Sequence, residues 1–235
     1  MSLVNGVLEA IAPDARARLQ PHLRLVHLSH GQVVADAGEA PRSVWFPTTS
    51  VLSVLGLATR GDVLELATIG PTACADVWVA LEADQSRHRV IVRRTGGAYR
   101  VPLEIVHREC HSNERFQRRL RAAALDVLQQ ITTTTMCVAF HPLLPRLCRW
   151  LLVTVEGARS ETIDLTQEFI AQMLGVTRPR VSQALLVLEA QHLIHQGVSR
   201  IHIVNRGGLA ALSCACDRPR RTPARTPTGT EPLRT

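Results

Sequence analysis

The chain has 235 residues, 46% hydrophobic and 20% charged, with a formal net charge of +7. That length holds one large domain or two modest ones, each with its own core, and the composition excludes an intrinsically disordered chain. All 27 basic residues are arginine, so positive charge alone does not identify nucleic acid as a partner. Met1 to Pro13 has no positive region ahead of its apolar residues and carries Glu9, unlike a secretory signal. The longest uncharged run, Val127 to Pro145, is interrupted by Gln129, Gln130, a run of threonines and two prolines, which makes it a poor membrane span. A cytoplasmic location is expected. The six cysteines show neither disulfide-scaffold density nor a paired Cys-x-x-Cys spacing, and most are expected to be small buried hydrophobes.

From Leu23 to about Pro102 the pattern has the period of strands. Short β-rich runs (Gln32 to Ala35, Ser43 to Phe46, Val51 to Leu57, Val63 to Ile69, His88 to Arg93, Ala98 to Val101) alternate with turn chemistry such as Gly38-Glu39-Ala40-Pro41, Arg60-Gly61-Asp62 and Thr95-Gly96-Gly97. This spacing predicts a β-sandwich or barrel. After Pro102 the pattern turns helical. Asn113 to about Val138 lacks glycine and proline, and Phe116, Leu120, Ala123, Val127 and Thr134 form an apolar seam. Such a helix either pairs with its copy in a second chain or packs on its own β domain; the β-branched run Thr132 to Thr135 lowers helix propensity. A helix over Leu143 to Val155 follows Pro142. The proline- and arginine-rich tail from Asp217 to Thr235 is expected to be disordered.

The segment Asp164 to Asn205 carries the functional signal. Thr166 can cap a short amphipathic helix that Gly175 ends in a left-handed conformation, and Thr177 can cap the next, with Pro179 tolerated in its first turn. Two helices joined by a tight glycine turn make a helix-turn-helix. At 100° per residue, Val181, Ala184, Leu185 and Leu188 share one face of the second helix, and Arg178, Pro179, Ser182, Gln183 and Leu186 share the other. Arginine and glutamine pair bidentately with guanine and adenine edges in the major groove, so Arg178 and Gln183, helped by Ser182, are the expected base readers. Thr166, Thr177, Arg180 and Arg200 are the expected phosphate contacts. Leu193 to Val204 reads as a small hairpin, the wing of a winged helix, with Arg200 at its turn. The same shape also serves as a protein-interaction module, and Ser160 to Cys216 has no net charge, with four arginines and four acids.

On these residues the chain resembles the Crp/Fnr family of bacterial transcription regulators. The resemblance is strongest in LTQEFIAQMLGVTRPRVSQALLVLEAQHLI, supported by Arg146 to Leu152 before it, and weaker in Gly31 to Val34 and Gly38 to Pro47. It implies an α+β chain: an N-terminal β jelly-roll sensor domain like the cyclic-nucleotide-binding domains (1–112), a dimerisation helix (113–140) and a C-terminal winged helix-turn-helix (141–216), with a tail over 217–235. It also implies a homodimer on double-stranded DNA at a pseudo-palindromic operator, and RNA polymerase as a partner. Arg178 resembles the family's base-reading arginine. Pro179 and Gln183 depart from the family's usual residues, so no operator sequence carries over.

No cofactor is expected. Nucleotide-binding relatives carry a Gly-Glu pair and an arginine followed by serine or threonine in one phosphate cassette, and Ile69 to Val79 has neither; a cyclic-nucleotide-responsive regulator is therefore the alternative reading. Cluster-binding relatives use closely spaced N-terminal cysteines, and none precedes Cys74 here. His107, Cys110 and His111 lie at helical spacing but read as surface residues rather than metal ligands, so no metal site is expected. Cys214 and Cys216 read as terminal packing residues, with a redox role as the alternative. Only His88 falls between Gly61 and Ala98, too few ligands for a cupin enzyme, and no catalytic triad or Cys/His pair stands out, so a non-enzyme is expected. The charge excess sits in Gln85 to Arg121, with ten arginines and three glutamates, away from the recognition helix.

Overall fold

The computed structural model describes residues 5–217 apart from 60, 77, 79–84 and 159. The expected disordered tail lies, from 218 on, outside the described residues. Asn5 caps a first short helix, α1 (Gly6–Glu9), its Oδ1 accepting from the amides of Val7 and Leu8 while its Nδ2 donates to the carbonyls of Pro47 and Ala73. Helix α2 (Pro13–Leu19) follows. Among the described residues, seven strands come next: β1 (Arg24–Leu28), β2 (Val33–Ala35), β3 (Ser43–Pro47), β4 (Val51–Leu57), β5 (Val63–Ile69), β6 (Arg89–Arg94) and β7 (Gly96–Pro102).

They form two antiparallel sheets, ordered β1-β7-β3 and β2-β6-β4-β5. Inward side chains of both, among them Leu28, Phe46 and Val101 from one and Leu52, Ile69 and Val92 from the other, share one core. This is jelly-roll order. Among the described residues, the eighth strand of that fold is represented only by an isolated bridge between Ala75 and Trp45 at the free edge of β3. Strands β4 and β5 match the runs read from the sequence residue for residue. Strand β1 was not among those runs, and β7 starts two residues earlier than expected. Gly96 and Gly97 belong to the strand because the backbone of Thr48 to Ser50 passes against them: a Cβ on Gly96 would sit 2.6 Å from Ser50 N, and the carbonyl of Gly97 accepts from the amides of Thr48, Thr49 and Ser50.

Helix α3 (Leu103–Ser112) leads to α4 (Glu114–Phe140), which Asn113 caps by accepting from the Phe116 amide. The seam read from the sequence packs on the chain's own β domain: Phe116, Leu120, Ala123 and Val127 join the jelly-roll core. Two polar contacts fasten the helix along β5, the Thr68 amide donating to Gln130 Oε1 (2.9 Å) and Thr134 Oγ1 to the Leu66 carbonyl (3.0 Å). A different face of α4 is exposed, with Leu125, Leu128, Thr132, Thr135 and Ala139 spaced by alternating threes and fours.

Helix α5 (Leu143–Ala158), β8 (Thr162–Ile163), α6 (Gln167–Leu174), α7 (Arg178–Ala190), β9 (Ile194–Gly197), β10 (Arg200–Ile203) and α8 (Arg206–Leu212) follow, and the described residues end in a 3-10 turn at Ala215–Asp217. Their core includes Leu151, Ile170, Val181, Leu185, Leu188 and Ile201, and it also takes in Leu55 from β4. The two halves meet at a buried polar network. The Glu65 carboxylate accepts from Arg93 (3.0 Å), Ser53 Oγ (2.5 Å) and, across the boundary, Trp150 Nε1 of α5 (2.5 Å), while the Arg93 guanidinium lies over the Trp150 ring.

Candidate nucleic-acid interface

The turn between α6 and α7 is built by local chemistry. Thr166 caps α6 by accepting from the Phe169 amide, and Gly175 ends it at φ 63°, ψ 44°, its amide donating back to the carbonyls of the last turn. Arg146 of α5 adds a second brace, its Nη2 donating to the Leu174 carbonyl (2.5 Å), one of the C-terminal carbonyls that a helix leaves without an internal partner. Burial pulls the Arg146 pKa down, so the charge is held at some cost for the sake of this contact. The sequence pattern includes Arg146 but does not show that it clamps a helix 28 residues away.

Helix α7 begins at Arg178 with Thr177 at the N-cap and proline in the first turn, as read; the Thr177 hydroxyl makes no capping bond. Val181, Leu185 and Leu188 are fully buried. On the opposite side Arg178, Pro179, Gln183 and Leu186 are exposed and Ser182 is half-buried, while Arg180 is exposed on the flank. The predicted base-reading side chains therefore share one solvent-facing surface, anchored from behind by apolar burial.

The wing is a three-stranded antiparallel sheet in the order β8-β10-β9. Its hairpin turns at Val198 and Ser199, with Ser199 at φ 52°. Glu189, at the end of α7, accepts from the amide and the side chain of Gln196, and Gln196 in turn accepts from Gln167 of α6. These bonds set the wing relative to both helices. A cleft of about 470 Å³ between helix-turn-helix and wing is lined by Thr166, Arg178 and Arg200. Thus three of the predicted contact residues share a cleft; Thr177, Arg180, Ser182 and Gln183 lie outside it. Arg200 pairs with Asp164 (2.6 Å), both exposed, a partner the sequence did not reveal.

Described residues in the stretch compared above with the phosphate cassette make internal contacts. The Pro71 carbonyl accepts from the Gly6 amide and the Ala73 carbonyl from Asn5. Asp76, buried at φ 60°, accepts from Ser86 Oγ (2.9 Å), and burial raises its pKa. A buried acid at that place opposes an anionic phosphate. Of His107, Cys110 and His111, read as surface residues, Cys110 is instead buried in the jelly-roll core because its face of α3 packs inward, whereas His111 is exposed and its Nδ1 faces the His107 carbonyl.

A recognition helix with one buried and one free face, a left-handed glycine turn before it and a wing after it define a winged helix-turn-helix DNA-binding protein. Residues 145–212 match the Crp-like helix-turn-helix domain. No curated protein matches the chain by sequence. Among solved structures, a Crp/Fnr-family transcriptional regulator from Eubacterium rectale superposes with a TM-score of 0.74 at 13% identity, covering 89% of this chain and 98% of that one. FixK2 from Bradyrhizobium japonicum gives 0.70 at 17% identity, covering 82% and 98%, and the c-di-GMP-responsive regulator CLP from Xanthomonas campestris 0.69 at 14%, covering 82% and 99%. Residues 145–212 thus carry a Crp-like helix-turn-helix domain, and the whole chain has the fold of these regulators. No helix among the described residues is long and apolar enough to cross a membrane.

Proposed function

We propose that the protein is a cytoplasmic, non-enzymatic regulator that binds a pseudo-palindromic operator as a homodimer, with the jelly roll of residues 1–112 as its sensor. The observation that carries this reading is the free face of α7, where Arg178, Ser182 and Gln183 face outward while Val181, Leu185 and Leu188 are buried beneath them. Arg178 and Gln183 read base edges in the major groove with help from Ser182. Thr166, Thr177, Arg180 and Arg200 meet backbone phosphates, and Arg200 exchanges Asp164 for the phosphate. The unused face of α4, with Leu125 and Leu128 exposed, has the alternating spacing of a two-stranded seam and pairs with a second copy. Two recognition helices so related address half-sites about one helical turn apart, and RNA polymerase is the partner that reads the outcome.

An open cavity of about 1090 Å³ between β5, the C-terminal half of α4 and α5, lined by Gln130, Thr134 and Arg149 among others, is the place for an effector. It adjoins Glu65 and Trp150, whose hydrogen bond joins the two halves, so an occupant there acts on both. The buried Asp76 and the internally bonded Pro71 and Ala73 carbonyls favour an effector other than a cyclic nucleotide bound in the family's usual cassette. Selection of bound duplexes from a random library, followed by footprinting, tests the reading: enrichment of a two-fold symmetric motif supports it. A footprint on one asymmetric half-site refutes the dimer, and no enriched motif points to a protein-interaction module.

A further inference from the structure

Four side chains that the DNA-facing surface does not use converge where the long helix ends. Cys137 lies in the last turn of α4 and His141 is its C-cap residue, so the i, i+4 spacing brings both to one side. Cys214 and Cys216 follow α8, in a stretch held to the start of α5 by the Cys214 amide donating to the Pro145 carbonyl (3.3 Å). Cys137 Sγ lies 3.2 Å from Cys214 Sγ, and Cys216 Sγ 3.4 Å from His141 Nδ1. All four ligand atoms lie within 4.8 Å of one another. Cys137 and Cys214 are buried, while His141 and Cys216 are half-buried and line the large cavity, which leaves an entry path.

We propose that Cys137, His141, Cys214 and Cys216 form a tetrahedral Cys3His site for a single divalent ion of the zinc class, clipping the end of the DNA-binding domain to the end of α4. With Zn–S near 2.3 Å and Zn–N near 2.0–2.1 Å, a tetrahedral ion sets its ligands about 3.5–3.8 Å apart, so closing the group requires shifts of about 1 Å or less. Thiolate and imidazole donors select zinc over magnesium and calcium. A four-iron cluster places iron and sulfide between its ligands and needs them farther apart than this. A disulfide between Cys137 and Cys214 accounts for two of the four groups and leaves the approach of Cys216 to His141 without a role. Binding releases the thiol protons and the ion's waters to solvent. Three thiolates around a divalent ion leave one negative charge, and Arg149, on the same cavity wall, acts electrostatically on Cys137 and Cys216.

The site is tested on the full chain, purified reduced and without chelator. Elemental analysis should find about one zinc per chain. After stripping, cobalt titration should saturate at one equivalent with thiolate-to-cobalt charge transfer and the strong visible bands of tetrahedral cobalt. His141→Ala and Cys216→Ser, both at half-exposed positions, should weaken cobalt binding by more than the roughly 10–100-fold that loss of an outer-shell partner costs; Cys110→Ser, in the other core, should leave it unchanged. Mass-mapped alkylation of the unmutated chain needs no variant to fold: metal should protect Cys137, Cys214 and Cys216. A folded chain without the tetrahedral spectrum, unchanged cobalt affinity in folded His141→Ala and Cys216→Ser, alkylation indifferent to metal, or a Cys137–Cys214 disulfide in a reduced-and-reloaded chain that takes up no metal would each overturn the proposal.

Discussion

Glu65→Ala removes the acceptor on which Arg93, Ser53 and Trp150 converge. The side chains of Glu65 and Arg93 are only 4% and 3% exposed, so the substitution leaves a guanidinium charge buried without its partner. Breaking one side of a buried pair costs about 3–5 kcal/mol. For a chain of this length that lowers Tm by roughly 6–20 °C, at about 2–4 °C per kcal/mol. Replacing both charges with apolar residues, Glu65→Leu with Arg93→Met, should recover the part of the loss due to the unpaired charge, because a buried pair exchanged for packed side chains is often neutral. What remains are the Ser53 hydroxyl and the Trp150 N–H without this acceptor, about 1–3 kcal/mol each, a cost that Glu65→Ala carries as well. Urea titration followed by circular dichroism measures the parent and both variants. If Glu65→Ala unfolds within about 1 kcal/mol of the parent, or the double variant is less stable than the single one, then this network does not hold the two halves together as argued.

Further outcomes follow from other parts of the fold. Leu125→Glu and Leu128→Glu place charges on the exposed face of α4; sedimentation should show monomers whose thermal unfolding is that of a folded chain, and a persisting dimer places the interface elsewhere. Arg178→Ala should cost about 1–3 kcal/mol of operator binding and relax one base position, whereas Arg200→Ala should weaken all sequences alike and lower the salt slope by about one; binding titrations across salt separate the two. Burial raises the pKa of Asp76 above its ordinary value. Its contribution to stability is therefore fully present below the unfolded pKa and lost as pH rises through the raised one. Asp76→Asn keeps the Ser86 contact and tolerates the left-handed φ, so it should melt above the parent at neutral pH, with the gap closing toward about pH 4; a gap that does not change with pH refutes the assignment.

Much of the chain was legible because its signals are local. The Thr166 cap, the left-handed Gly175 and the apolar positions of α7 lie within a few residues of what they determine, so the helix-turn-helix and its free face follow from spacing. Strands β4 and β5 are short apolar runs bounded by turn residues, β4 buried on both faces and β5 alternating, and their limits agree with the structure. Strand β1 has only one fully buried residue, so its alternation carries little signal, and the place of Gly96 in β7 depends on a loop more than 40 residues away.

The sequence by itself determined helices α4 to α7, with ends within a few residues of those observed, and the apolar seam of α4; it did not mark α1, α2, α3 or α8. Only the tertiary structure decided which partner covers that seam: periodicity records that a face is apolar but not what it meets, and here the jelly roll takes Phe116, Leu120 and Val127 while Leu125 and Leu128 face outward. The same holds for the bond from Trp150 to Glu65, 85 residues apart, and for the approach of Cys137 to Cys214, 77 apart. Neither pair has a spacing that a helix or strand repeats, so each exists only because the chain has closed two cores against one another.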